Sequence, residues 1–137
     1  MAHPLKEITE EIGPLIERLR ALCLALPGTR EKLAWGEPTF RVKDRMFAQV
    51  DNNHHRSGHV AVWCPSPPDA REILIENAPD RFFVPPYVGP KGWIGARLDG
   101  QCDWDQVALV LEDAYRMVAP KKLLAEFDSW RSPGAGL

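Results

Sequence analysis

Cysteine is scarce. Cys23, Cys64 and Cys102 are the only three in 137 residues, odd in number and far apart. That excludes a disulfide-stapled scaffold and suits a reducing compartment. Long apolar runs are absent too. None approaches the roughly 20 residues that cross a bilayer, and the first residues lack the apolar core of a signal peptide. The expectation is a cytoplasmic protein without a membrane partner. Net charge is small: 17 Lys and Arg against 19 Asp and Glu leave −2, without the basic excess usual in a dedicated nucleic-acid binder.

Recognisable catalytic apparatus is also lacking. Gly89-Pro90-Lys91-Gly92 reads as a turn, not as a glycine-rich phosphate cradle. His54, His55 and His59 cluster, but no cysteine or carboxylate at ligand spacing completes the three or four ligands that zinc needs. Glu31 with Glu37, and Asp103 with Asp105, stand where carboxylates cap or solvate rather than where an acid–base pair works. Cys23 falls on an apolar helix face and reads as core. Cys102 precedes a helix start, a position that depresses thiol pKa values, and is the candidate reactive thiol, although no histidine neighbours it. No metal, no cofactor and no catalytic residue is expected.

What is present is a patterned globular chain. Hydrophobic residues make up 45% and charged residues 26%, and 13 prolines point to short elements and firm turns rather than a helical bundle. Residues 14–26 carry Leu15, Ile16, Leu19, Leu22, Cys23 and Leu26 at helical spacing and end at Pro27-Gly28. A short separate helix is expected between Pro4 and Ile12. The period then becomes alternating: strands are predicted at 39–43, 46–50 and 59–63, with Lys43-Asp44-Arg45 as a turn and residues 51–58 as a loop. In Trp35-Gly36-Glu37-Pro38-Thr39-Phe40, Gly36 and Pro38 are read as a bend with the two aromatics in the core beneath it. Ser66 is the predicted cap of a helix reaching about Asn77. Two strands follow at 81–84 and 91–98. Asp103 caps a long helix, Pro120 interrupts it, and Lys121 to Trp130 form a last one. The fold class is α+β: a two-layer sandwich of order α-β3-α-β2-α, with one antiparallel sheet and helices on one face. Residues 1–137 form one domain, with 1–13 as an extension and 132–137 as a frayed tail.

Charge is unevenly divided. The strand segments, residues 30–63 and 81–97, hold nine basic and four acidic groups, whereas the rest holds eight and fifteen. If Phe40, Val42, Met46, Ala48, Val50, Val60, Val62, Ile94, Ala96 and Leu98 face the helices, alternation fixes the opposite side. That side carries Arg41, Lys43, Arg45, Phe47, His59, Trp63, Lys91, Trp93 and Arg97. Such a combination of cations and rings suits phosphates and stacked bases. The assignment requires that no bulge shift the parity.

Trp35-Gly36-Glu37-Pro38-Thr39-Phe40-Arg41-Val42, followed by Met46-Phe47-Ala48, resembles the MmcQ/YjbR family of small bacterial proteins. Cys23 to Gly28, Lys91-Gly92-Trp93-Ile94 and Ala114 to Lys121 extend the resemblance over about residues 22–125. It implies an α/β two-layer fold and a DNA-binding role through a double-wing shape. The chain departs from the family pattern around residues 80–90, where Pro79, Pro85, Pro86 and Pro90 stiffen the loop.

The function expected is therefore non-catalytic binding of DNA or another anionic partner. Arg41, Lys43, Arg45, Lys91 and Arg97 would contact phosphates, with Trp63 and Trp93 as stacking surfaces. One alternative is an interaction module that pairs through its sheet face with itself or another protein. Another is a small-molecule binder or enzyme with a pocket near Trp35, Tyr87 and Trp93.

Overall fold

The structure, a computed structural model, describes residues 10–52, 59–100 and 102–131. The first apolar stripe forms helix α1, Gly13–Leu24, with Pro14 in its opening turn, where its missing N–H costs no hydrogen bond. Four strands follow: β1 Thr29–Ala34, β2 Glu37–Val42, β3 Arg45–Asn52 and β4 Val60–Pro65. Then come helix α2 (Ala70–Asn77), the short strand β5 (Phe82–Phe83), a 3-10 turn over Gly89–Lys91, strand β6 (Trp93–Arg97), and helices α3 (Trp104–Val118) and α4 (Lys121–Arg131). The six strands form one antiparallel sheet in the order β1-β2-β3-β4-β6-β5. The α+β class is as expected, but the order of elements differs.

The additional strand is β1. Its sequence, Thr-Arg-Glu-Lys-Leu-Ala, has no apolar alternation, and its four central residues are exposed. As an edge strand it has little to bury, and its charges discourage pairing with another chain. Three further boundaries move. Ser66 is buried and does not cap α2, which begins at Ala70 behind Asp69 in the left-handed region (φ 70°). Pro68 disfavours helical backbone at Pro67 before it, so the helix does not run back to a cap at Ser66. Lys91 lies in the 3-10 turn instead of a strand, and β6 begins only after Gly92. Asp51 and Asn52 end β3 rather than opening a loop. The remainder of that loop (53–58), the helix expected before Glu10 and the tail after Arg131 lie outside the described residues.

The core forms between one sheet face and the helices. Phe40, Val42, Ala48, Val50, Val62, Cys64, Ile94 and Ala96 pack with Ile16, Leu19 and Cys23 of α1 and with Val107, Leu111, Ala114 and Tyr115 of α3. Asp103 caps α3 as predicted, its Oδ1 accepting from Gln106 N at 3.1 Å. Tyr115 Oη donates to the Pro27 carbonyl at 2.6 Å and ties α3 to the connection after α1.

Phe47 departs from strict alternation. The register places Phe40 opposite Ala48 but Arg41 opposite Met46, so one residue of β3 bulges between them. The bulge turns Phe47 into the core, fully buried and edge-on to Tyr115 at 5.7 Å, not onto the open face as expected. Burying a phenylalanine side chain gains about 1.5–3 kcal/mol. A hydrogen bond contributes about 1 kcal/mol net, so the broken ladder is outweighed.

At the other side of the sheet, Gly95 lies beneath the Phe83 ring. A Cβ built on Gly95 would stand 2.3 Å from Phe83 Cζ. Gly95→Ala should therefore lower stability by about 1–3 kcal/mol in a denaturant titration. The loss should shrink in a Phe83→Ala background, where the obstructing ring is gone.

Candidate nucleic-acid interface

Strands β2 and β3 meet in a two-residue turn, Lys43-Asp44, with both residues at positive φ (52° and 63°). This turn geometry matches the right-handed twist of the strands it joins. It leaves Lys43 and Arg45 exposed at the tip. The β1–β2 register then adds two cations that the sequence reading did not select: Arg30 stands opposite Arg41, and Lys32 opposite Thr39. The Asp44 carboxylate pairs with Arg30, and its carbonyl accepts from Arg41 Nη1 at 3.5 Å. Arg41 Nε also donates to Thr39 Oγ1 at 3.2 Å, and that hydroxyl donates to Lys32 O at 2.6 Å. Arg30 and Arg41 thus both engage Asp44, while Lys32, Lys43 and Arg45 lie on the same hairpin and its neighbouring strand.

Ion pairing separates Lys32, Arg41, Lys43 and Arg45 from Arg30 and from the other paired arginines. Among the described residues, Arg20, Arg30, Arg71, Arg81, Arg97 and Arg116 each have a carboxylate within 4.0 Å. Lys32, Arg41, Lys43, Arg45 and Lys91 have none among these residues, nor do Arg18, Lys121 and Lys122.

The other predicted contacts lie towards β6. Lys91 is exposed in the 3-10 turn, and Trp93, half-buried, opens β6 opposite Pro65. Arg71 of α2 fixes this segment: its Nη1 donates to Gly89 O at 2.7 Å and to Trp93 O at 3.0 Å. The antiparallel registers place Lys91 and Trp93 at the same end of the sheet as the Lys43-Asp44 turn. They are three strand spacings from β2, about 14 Å at roughly 4.8 Å each. Arg97 is at the opposite end of β6, with Nε 3.0 Å from Asp99 Oδ1. The predicted cations therefore form one cluster, one neighbour group and one outlier.

Between the two groups the sheet face is closed, which corrects the expectation of a continuous open surface. Glu37, Thr39, Gln49, Asp51, Ala61 and Trp63 are all buried. Trp63 is 2% exposed and offers no ring for stacking or for an intersubunit contact. Its Nε1 donates to Asp51 Oδ2 at 3.2 Å, and His59 Nε2 lies 3.0 Å from the same oxygen. A buried carboxylate requires donors, and these side chains are committed to it. The His59 ring also packs against Phe83 at 4.6 Å. Glu37 Oε1 accepts from Asn52 N at 2.6 Å. Periodicity cannot disclose such a buried polar layer, because its residues read as the solvent side of an alternating strand.

Two other readings also need correction. Trp35, Tyr87 and Trp93 do not converge on a pocket. Trp35 sits in the β1–β2 turn, 47% exposed at φ 55°, beside the end where Glu37 reaches Asn52, whereas Trp93 is at the other end of the sheet. Nor does Trp35 fill the core beneath the bend, although Phe40 does. His54 and His55 lie outside the described residues. Among the described ones, no group of three or more His, Cys, Asp or Glu side chains is placed to hold a metal ion, and no helix is long and apolar enough to cross a membrane.

Comparison with known proteins finds a family model and a solved structure of similar fold. The YjbR family model matches residues 24–117. The crystal structure of Deinococcus radiodurans protein DR2400, which carries a DUF419 domain, is similar with a TM-score of 0.66 and 23% identity, over 78% of this chain and 80% of that one. At that identity the likeness is one of fold. No curated protein matches the chain.

The thiols also differ from expectation. Burial and the neighbouring Asp103 push the Cys102 pKa up rather than down, because the exposed helix start that would lower it is occupied by the capping carboxylate. Burial raises Cys23 as well, and Cys64 to about 12. An unfolded chain loses these protons near pH 8.5, whereas the folded one retains them. Stability should thus be intact below about pH 8.5 and fall as pH rises towards 12, as denaturant midpoints will register. In native protein a disulfide reagent should modify Cys102 alone, and slowly at pH 8.

Proposed function

The chain belongs to the YjbR family, and from that premise and its hairpin cations we propose that it binds DNA, or an anionic partner of the same kind, without catalysis. The observation that carries this reading is that four cations without a carboxylate partner, Lys32, Arg41, Lys43 and Arg45, lie on or beside the one β2–β3 hairpin, with Lys91 beyond. Arg30 adds a further charge, shared with Asp44. A two-stranded ribbon fits the major groove, which is about 12 Å wide. The roughly 14 Å between the hairpin and Lys91 lets both groups reach phosphates on one duplex. Screening acts over about 8 Å at physiological salt, so this local excess attracts a polyanion despite the overall charge of −2. In the double-wing description, the β2–β3 ribbon is one wing and the Lys91–Trp93 segment stands in the place of the other. Free thiols agree with a reducing cytoplasm, where DNA is met in a bacterial cell.

The role of the predicted residues changes accordingly. Arg41, Lys43, Arg45 and Lys91 are assigned phosphate contacts, joined by Arg30 and Lys32. Trp93 keeps a partly accessible ring, and Trp63 is withdrawn.

Fluorescence anisotropy with short duplex and single-stranded DNA tests the reading. Affinity should fall with salt at a log–log slope of roughly −0.9 per phosphate neutralised on duplex. The double variant Lys43→Glu/Arg45→Glu should bind about tenfold or more weakly at low salt, with a slope shallower by about 2. Absence of binding to either form at low salt would overturn the proposal.

A further inference from the structure

A cavity of about 650 Å³ opens where β5 begins and β6 ends, lined by Asn77, Asp80, Arg81, Arg97 and Asp99 among others. That volume lies within the usual range for small-molecule sites, about 300–1,000 Å³. The cavity is built around two arginines, Arg81 just before β5 and Arg97 at the end of β6, joined across the ladder by the Arg97 N–H donating to the Arg81 carbonyl at 2.8 Å. Like charges set side by side across a strand pair repel, so the arrangement needs anions.

The chain supplies them incompletely. Asp99 is fully engaged: Oδ1 accepts from Arg97 Nε at 3.0 Å and Oδ2 from Val60 N at 3.3 Å. It therefore orients Arg97 while leaving both terminal nitrogens without a hydrogen bond among the described residues. The counter-ion of Arg81 is Asp103, 4.0 Å away and beyond hydrogen-bond reach, and Asp103 already caps α3 through Gln106. Two guanidinium forks thus retain donors in one recess, the arrangement that binds a phosphate bidentately. The lining also contains Asp80 and Asn77, at the C-terminal end of α2. With two arginines and two aspartates, it has no net charge to attract a bare anion. Its complement is a ligand with a phosphate at one end and N–H donors at the other. A carboxylate accepts from the cytosine amino group, and an asparagine side chain pairs with adenine.

We propose that this cavity binds a mononucleotide, free or at the end of a strand. Arg81 and Arg97 clasp the phosphate, and Asp80 and Asn77 receive the base edge. The proposal extends the polyanion reading to Arg97, the predicted contact that lies apart from the hairpin, but does not require the hairpin to bind duplex.

Amide chemical-shift titration with dCMP, deoxycytidine and inorganic phosphate tests it on the unmodified protein. dCMP should shift residues 77–81 and 97–100, and each fragment alone should bind more weakly by about tenfold or more, the worth of one charge-assisted contact. The double variant Arg81→Lys/Arg97→Lys keeps both charges but loses the forks, and should weaken dCMP by a similar factor with an unchanged far-UV spectrum. A 5′-phosphorylated oligodeoxycytidylate that competes with dCMP identifies the strand end as the source, and a failure to compete identifies the free nucleotide. Lys43→Glu/Arg45→Glu should leave dCMP binding intact. Shifts centred elsewhere, no dCMP binding, or equal binding by the lysine variant would overturn the proposal. Duplex binding that persists beside such a result leaves the hairpin reading standing.

Discussion

The single extra residue in β3 organises this structure. Strict alternation would send Phe47 out with Arg41 and Gln49. The bulge sends it inward against Tyr115, and the same helix α3 is held at Pro27 by the tyrosine hydroxyl. One ring contact thereby couples the central hairpin, the long helix and the connection from α1 to β1. It also leaves Arg41 on the face away from the helices, opposite half-buried Met46, at the base of the charged tip. The positions of the cations follow from where the core takes its aromatic.

That face is polar inside as well as outside. Asp51, Glu37 and Gln49 are as buried as the valines on the opposite side of the same strands. Asp51 is served by the Trp63 indole and by His59, and Glu37 by the backbone of Asn52. Hydrogen-bonded buried groups of this kind favour one arrangement over near alternatives, because a slipped register would strand a carboxylate without its donors. The tryptophan that appeared to be a stacking platform is instead part of what fixes the sheet.

Legibility in the sequence followed the amount of apolar surface each element buries. The stripes of α1 and α3, the Asp103 cap and the break at Pro120 were readable because local chemistry and core packing agree there. β1 was not, since a charged edge strand has no hydrophobic period. Arg30 and Lys32 were therefore missed as site residues, although a turn beside them was read at Lys43-Asp44-Arg45, one residue longer than the Lys43-Asp44 turn that forms. Phe47 and Trp63 were misplaced for a different reason: a bulge and a buried carboxylate are tertiary facts that a period of two cannot represent. Cys102 shows a third kind of failure, in which the helix start was found but the effect of the capping aspartate was not.

Arg71 has a consequence for how the molecule opens. α2 has no fully buried residue, and a single guanidinium nitrogen of that helix bonds two carbonyls of the segment from Gly89 to Trp93. Helix and loop are consequently one cooperative piece with a modest grip on the core, held in part by a bond that water can replace. Such pieces detach while the remaining sheet stays intact, so solvent exchange at their amides measures a local equilibrium separate from global unfolding. Lys91 belongs to that helix-and-loop piece, whereas Trp93 is paired into β6 opposite Pro65 and the β2–β3 ribbon is anchored through Phe47 to the core.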